Sequence, residues 1–381
     1  MTDISQLASK LPGVLTYLQP LGPGIKESPE FPGMPDPCAG PKRMTGVEDI
    51  LCMKPPTFLP DYKNPCWHDD NTFRCLPYFH LIGMCKSATS DLFKRLHMHP
   101  DIIPNRGIFG KEIWYWSWRR FETTGKFGKF KMGMTLKEFT NHFFTTKLQT
   151  TDTNGKHNKI TGNGDPMDFW DRFRESNLPQ NTPGADELLW TTPYAVRHVN
   201  PNVKLLLMLR DPVERLYSHY FHGCYGKSAH SFHDHVVISI ERWKACTSSH
   251  SIRHCIYDQP FSKTLPAPIF TSFYIVHLLE WLKAFPREQI LIFRNEDYTV
   301  DIKGTMTDIF RFLDRSPTTT FLTQMANMAP FFESKKRKSA GPMLPETKRL
   351  LVELYRPYNE QLAAFLGDER FAWRDASFAT A

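Results

Sequence analysis

Hydrophobic positions along the chain fall into two regimes. Residues 1 to about 75 show little periodicity and are interrupted by proline and glycine, with PGMPDPCAGP near the middle and KPPTFLP later. They read as an extended arm packed on a body. From Tyr78 the pattern changes. Tyr78 to Ile82 is a run of aromatic and aliphatic residues of the kind that fills a short buried strand, and Gly83 ends it. Leu92, Phe93 and Leu96 recur at helical spacing, and Ser87 or Thr89 is placed to cap that helix. His99-Pro100 closes it, because a residue before proline is pushed out of the α region. Asp101 to Ile108 reads as a second strand region. Val203 to Leu209 is a continuous apolar strand, broken by Arg210-Asp211-Pro212 and followed by an amphipathic helix. Phe270 to Phe285 predicts a helix with Val276, Leu279, Leu282 and Phe285 inward. PREQILIF predicts a strand, and PETKRLLVELYRPYNEQLAAFLGDERFAW predicts C-terminal helices. Phe127, Phe130, Phe139, Phe143 and Phe144 predict core packing, whereas GKHNKITGNGDP predicts an exposed loop. The sum is a packed α/β body over residues 76–381 behind a Pro/Gly-rich arm over 1–75.

At 381 residues, with 41% hydrophobic and 13% aromatic content, the chain can bury a large core, which excludes a disordered protein. A net charge of +7 favours an acidic partner, whether nucleic acid, membrane or sulfated glycan, without choosing among them. No run approaches the length of a membrane span, Met1 to Lys10 lacks the apolar core of a signal peptide, and no N-x-[ST] acceptor occurs. Among the eight cysteines, Cys66 with Cys75 and Cys246 with Cys255 bracket short loops. They read as small disulfide loops of an oxidising compartment or as reduced thiols. Zinc is disfavoured because no C-x₂-C pair occurs. Cys85 and Cys224 read as free.

Candidate chemistry gathers at three places. A strand, a tight turn carrying Lys86 and a helix N-terminus make an anion cradle, because unpaired amides and the helix dipole both favour a phosphate-like group. The lysine precedes the small residues Ser87-Ala88-Thr89-Ser90, unlike the ATP-binding G-x-x-x-x-G-K-[ST] loop. Arg210 emerges at the carboxyl end of a buried strand, where open α/β sheets bind ligands and a guanidinium fork suits phosphate. Ser218 adds a hydroxyl two helical turns on, and Arg215 reads as a salt-bridged structural residue. Between these, Lys111-Glu112 precedes Trp114-Tyr115-Trp116, which places a general-base candidate beside a sugar-stacking surface. The competing reading is a solvated Lys-Glu pair leading into a buried aromatic helix. Arg119, Lys126, Lys129 and Lys131 are candidates for contacting sulfate or carboxylate groups, and Lys335 to Lys338 reads as a basic loop.

In this order the three resemble the Golgi carbohydrate sulfotransferases, over about residues 76 to 375. Lys86-Ser87-Ala88-Thr89-Ser90 matches their K-x-G-[TS]-[TS] loop, with Ala88 for glycine, a replacement accommodated at negative φ. His99-Pro100-Asp101 followed by Lys111-Glu112 reproduces their H-P-D turn and K-E-x-x-[FY]-[FW] segment. R-x-P-x-x-R-x-x-S-x-[YF] falls on Arg210, Pro212, Arg215, Ser218 and Tyr220, and Ser272-Phe273-Tyr274 stands for G-x-Y. The resemblance implies a P-loop-like sulfotransferase fold, a central mainly parallel sheet flanked by helices. It implies 3′-phosphoadenosine 5′-phosphosulfate (PAPS) as donor, held by Lys86, Ser87, Ala88, Thr89, Ser90, Asp91, Arg210, Ser218, Tyr274, Lys336, Arg337 and Lys338. Glu112 is then the base, Lys86 the group that balances leaving-group charge, and Lys111, Trp114 and Arg119 acceptor contacts, with no metal. NPCW, RCLPYF, KSATSDLF and GPMLP narrow the implied acceptor to the 6-hydroxyl of 4-sulfated N-acetylgalactosamine in chondroitin sulfate. The implied partner is a chondroitin or dermatan sulfate chain and not nucleic acid, and the implied location is the Golgi lumen, with the anchor absent from this chain. Two other readings stand beside it. One is a non-catalytic glycosaminoglycan-binding protein keeping the fold, left open by Ala88 and Ser272. The other is a P-loop kinase, for which Asp211 is the obvious magnesium ligand.

Overall fold

A computed structural model describes residues 26–40, 42–121, 126–127, 130–172, 174–331 and 340–374. Its centre is a sheet of five strands, β1 (Phe79–Gly83), β2 (Ile102–Ile103), β3 (Ile160–Asn163), β4 (Lys204–Leu209) and β5 (Ile290–Arg294). They lie in the order β2-β3-β1-β4-β5, and every pairing is parallel. Helices flanking the sheet include α1 (Thr89–Leu96), α2 (Pro212–His222), α3 (Tyr274–Ala284), α4 (Ile302–Phe312) and α5 (Pro345–Leu366).

The apolar run of β4 is explained by burial on both faces. Side chains alternate across a strand, so Leu205, Leu207 and Leu209 join the core beneath α2, α3 and α5. Leu206 and Met208 join the opposite core, with Leu92, Phe93 and Leu96 of α1 and Met306, Ile309 and Phe310 of α4. A parallel sheet covered in this way has no polar face to display.

Three elements differ from expectation, the first being the strand region read over Asp101 to Ile108, of which only Ile102–Ile103 is strand. Residues read as part of an exposed loop contain β3, which is wholly buried. Its threonine finds partners distant in sequence: Thr161 Oγ1 donates to the Ile103 carbonyl at 2.8 Å, and the Thr161 amide donates to Asn64 Oδ1 at 2.9 Å. The helix expected from Phe270 begins at Tyr274, after a 3₁₀ turn over Ile269–Ser272. Phe139 and Phe143 are buried as expected and Phe144 is partly so, while the side chains of Phe127 and Phe130 lie outside the described residues.

Ahead of β1, Phe31, Met34, Val47, Ile50 and Leu51 are buried in the larger core. Cys66–Asp69 and Thr72–Cys75 form an antiparallel hairpin joined by the Cys66–Cys75 disulfide. Cys246–Cys255 is likewise bonded, and a third bridge, Cys38–Cys52, was not legible in its proline-rich surroundings. Cys85 and Cys224 take no part in the three disulfides. Among the described residues no helix is long and apolar enough to cross a membrane.

Gly162 of β3 pairs with Phe79, and a Cβ on it would lie 2.3 Å from that buried ring. Gly162→Ala is therefore expected to destabilise the protein by about 1–3 kcal/mol through overpacking, read from the urea midpoint.

Candidate active site

Strand β1 delivers the chain into a turn whose residues Lys86 and Ala88 both have left-handed backbone, φ 68° and 58°. The negative φ expected of Ala88 is thus not found. The turn needs a left-handed residue to swing the chain into α1, and alanine meets that need at a cost of about 1–2 kcal/mol. Ala88 is also the N-cap residue of α1, and no side chain caps the helix. Ser87 and Thr89, expected as caps, do otherwise. Ser87 Oγ is buried with no partner among the described residues, and the Thr89 and Ser90 hydroxyls accept from Lys111 Nζ at 3.3 and 3.2 Å. First-turn amides that no side chain occupies, at the positive end of a helix, suit an anion. The Asp91 carboxylate is engaged in a buried network: Arg95 Nε at 2.9 Å, the Phe331 amide at 2.8 Å and the Tyr298 hydroxyl.

Beside this turn, Arg210 leaves the end of β4 and donates from Nη1 to the Lys86 carbonyl at 3.2 Å. Tyr274 at the start of α3 donates its hydroxyl to the Arg210 carbonyl at 2.8 Å, so it holds the arginine's backbone. Asp211 caps α2, its Oδ1 accepting from the Val213 and Glu214 amides at 2.8 and 3.0 Å, and burial pushes its carboxyl up to about 6. Capping accounts for this acid, which was the magnesium-ligand candidate of the kinase reading. Ser218 is buried within α2. Arg215 is fully buried and structural, yet hydroxyls replace the salt bridge expected of it: it donates from Nε to Ser272 Oγ at 3.1 Å and from Nη2 to Thr271 Oγ1. At the carboxyl ends of β4 and β5 a cavity of about 540 Å³ is lined by Arg210, Arg294, Asn295, Arg370 and Trp373, among others. Lys336, Arg337 and Lys338 lie outside the described residues, as do the side chains of Lys126, Lys129 and Lys131.

Glu112 closes a tight hairpin in which Ile108 and Glu112 exchange both backbone bonds, at 2.9 and 3.1 Å. Buried Asn105 pins the hairpin, donating from Nδ2 to the Lys111 and Gly162 carbonyls at 2.8 and 3.0 Å and accepting from the Gly107 amide at 2.7 Å. Among the described residues the Glu112 carboxylate bonds Lys111 Nζ, at 2.8 Å from Oε1, and the Trp114 indole N–H, at 3.1 Å from Oε2. Lys111, expected toward the acceptor, is buried between the base candidate and the first turn of α1. Its stem passes Gly164, where a Cβ would lie 2.5 Å from Lys111 Cγ. Trp114 is left-handed, φ 60°, half-buried, and packs on Trp118 with centroids 5.1 Å apart. Arg119 is buried and donates to the Ile113 carbonyl at 3.2 Å.

Sequence reasoning missed two acids in the loop after β3. Asp165 accepts from the Trp114 amide and from Asn163 Nδ2, both at 2.9 Å; burial first, then the charge of Glu112, push its carboxyl up to about 7. Asp168 is raised well above the carboxylate range by burial and by Asp165. Recognising I-T-G-N as a strand would have exposed them, since strand ends in parallel sheets are where ligands sit. Elsewhere among the described residues, ligand-type atoms of Asp186, His250 and His254 lie within 4.8 Å of one another, and none of these residues takes part in the cradle.

A parallel sheet whose central strand runs through a lysine-bearing turn into an uncapped helix, with an arginine ending the next strand, defines the P-loop-like sulfotransferase fold. A crystal structure of a sulfotransferase from Alicyclobacillus acidocaldarius shares that fold, with a TM-score of 0.51 and 20% identity over 78% of this chain and 99% of that one. The sulfotransferase domain family matches residues 189–353, which include Arg210 and Ser218. Carbohydrate sulfotransferase 15 of Mus musculus is 30% identical, and that of Homo sapiens 29%, across 84% of this chain and 66% of each relative. Bifunctional heparan sulfate N-deacetylase/N-sulfotransferase 4 of Mus musculus is 26% identical across 81% of this chain and 33% of its own length. The chain is similar to the carbohydrate sulfotransferases over most of its length, and it spans just under two thirds of the length of the first two relatives.

Because Ala88 stands at a left-handed position, Ala88→Gly is expected to raise unfolding free energy by about 1 kcal/mol, measured by urea denaturation.

Proposed function

We propose that this protein transfers a sulfuryl group from PAPS to a hydroxyl of a sulfated glycosaminoglycan, with Glu112 as the base. The observation that carries this reading is Lys111, whose single ammonium bonds the first turn of α1 and the Glu112 carboxylate together. An anion cradle and a proton acceptor held at that separation suit an in-line displacement between them.

The residues present suit the donor: first-turn amides without a side-chain cap, a lysine in the turn, and an arginine at the neighbouring strand end. Bound there, PAPS supplies a sulfuryl group already activated by its phosphate leaving group. Glu112 takes the proton from the sugar hydroxyl as that oxygen bonds to sulfur. Lys86 balances the charge that builds on the bridging oxygen as the sulfur–oxygen bond to phosphate breaks, and the α1 amides hold the departing 5′-phosphate. Ser87, Ala88, Thr89, Ser90, Arg210, Ser218 and Tyr274 complete the donor site, with Trp114 the aromatic surface for a sugar ring. A sulfuryl group carries less negative charge than a phosphoryl group, so the reading needs no obligate metal.

The acceptor in this reading is the 6-hydroxyl of N-acetylgalactosamine 4-sulfate within chondroitin or dermatan sulfate, supported by the likeness to carbohydrate sulfotransferase 15. Residence in the Golgi lumen is part of the same reading, and three disulfides agree with an oxidising compartment.

Transfer of radiolabelled sulfate from PAPS to a panel of desulfated and singly sulfated glycosaminoglycans tests the proposal. Labelling of 4-sulfated chondroitin is expected. Glu112→Ala and Lys86→Ala should each lower turnover by about 10²-fold or more. Full activity in both variants would contradict the roles. No labelling of any acceptor, with 3′-phosphoadenosine 5′-phosphate still tightly bound, would point to a glycosaminoglycan-binding protein that keeps the fold.

A further inference from the structure

Asp165 has no part in the chemistry above, yet its surroundings tie it to the base. It is wholly buried; Oδ2 accepts from the Trp114 amide and from Asn163 Nδ2, and Oδ1 has no partner among the described residues. The Trp114 amide it holds belongs to a left-handed residue, a conformation that persists in a bulky side chain only where its surroundings impose it. That conformation sets the indole whose N–H reaches Glu112. The preceding residue, Gly164, is bonded through its own amide to the Lys111 carbonyl at 3.0 Å and leaves room for the Lys111 stem. One loop therefore governs both neighbours of the Glu112 carboxylate.

We propose that Asp165 is a positioning residue for Glu112: it fixes the Trp114 conformation that orients the base, and its buried charge competes with Glu112 for Lys111, leaving the base carboxylate less tightly paired. The inference rests on the sulfotransferase reading with Glu112 as proton acceptor.

The charged groups facing Asp165 are Glu112 and Lys111 from the hairpin, Arg119 from the π-helical turn Tyr115–Arg119, and Asp168 from its own loop. When both carboxylates are ionised, one ammonium serves two anions, and less of its attraction is committed to Glu112. When Asp165 is protonated, Lys111 pairs with Glu112 alone and holds its carboxylate more tightly. The Asp165 carboxyl is raised to about 7, so its charged form is present above that pH and lost below it. The hold of Lys111 on the Glu112 carboxylate accordingly loosens as pH increases through this region.

The test is the pH profile of kcat/KM between about pH 5.5 and 9 for the wild type, Asp165→Asn and Asp165→Ala. Asparagine keeps an oxygen to accept from the Trp114 amide and removes only the charge. Wild type is expected to show an acid limb near pH 7. Asp165→Asn should lose that limb, falling about ten-fold below wild type at high pH and meeting it at low pH, with acceptor KM unchanged. Asp165→Ala, which also releases Trp114, should be lower at every pH. Calorimetric binding of 3′-phosphoadenosine 5′-phosphate should match wild type in both variants, which reports an intact fold. An Asp165→Asn profile superimposing on wild type, or lowered by one factor at all pH values, overturns the inference. Failure of the wild type to label any acceptor refutes the sulfotransferase reading instead.

Discussion

A lysine ammonium drawn out of water must find its partners inside, and the candidate site is arranged around the ones that Lys111 finds. It donates to Thr89 and Ser90 on α1 and pairs with Glu112. Leaving such a buried charge uncompensated costs several kcal/mol, so every segment that touches it is constrained. Asn105 pins the hairpin that presents it, Gly164 withholds a side chain from its path, and α1 leaves two hydroxyls facing it instead of capping itself with one. The separation between the anion cradle and the base candidate is thereby tied to the length of one side chain.

How a departure from a family pattern is absorbed can be followed at Ser272. The hydroxyl that stands in place of a glycine accepts from buried Arg215 and donates to the Pro212 carbonyl at 3.2 Å, joining the start of α3 to the start of α2. Tyr274, two residues on, holds the Arg210 carbonyl. The replacement therefore adds a contact beneath the arginine and takes none from it.

Legibility followed the number of apolar neighbours each element has. Strands β1 and β4 are covered on both faces, so they read as continuous hydrophobic runs, and Lys86 and Arg210 stood out as the charges that end them. Strand β3 is equally buried but built from Ile160, Thr161, Gly162 and Asn163. Glycine there answers to the Phe79 ring and threonine to a carbonyl on β2, requirements set by residues that only the fold brings near. With that strand went Asp165 and Asp168. The direction taken by Lys111 was hidden for a related reason: beside a glutamate and before three aromatics it looked like a surface pair, and only Gly164 reveals where its stem can run. The sign of φ at Ala88 is a property of the turn, and alanine gives no local hint of it.

The three disulfides close loops with sequence separations of only 14, 9 and 9 residues, so none joins distant parts of the chain. In the chain-entropy account the longest loop withdraws about 3 kcal/mol of freedom from the unfolded state and the two shorter ones about 2.6 kcal/mol each, together about 8 kcal/mol. That is comparable with the whole net stability of an ordinary domain, about 5–15 kcal/mol. The long-range contacts that build the anion cradle and present the base candidate are all non-covalent, but the margin by which they prevail over the unfolded chain is held in these local loops. The thiol–disulfide poise of the surroundings thus becomes a thermodynamic variable of folding, in the way that ligand concentration is for a protein that folds on binding.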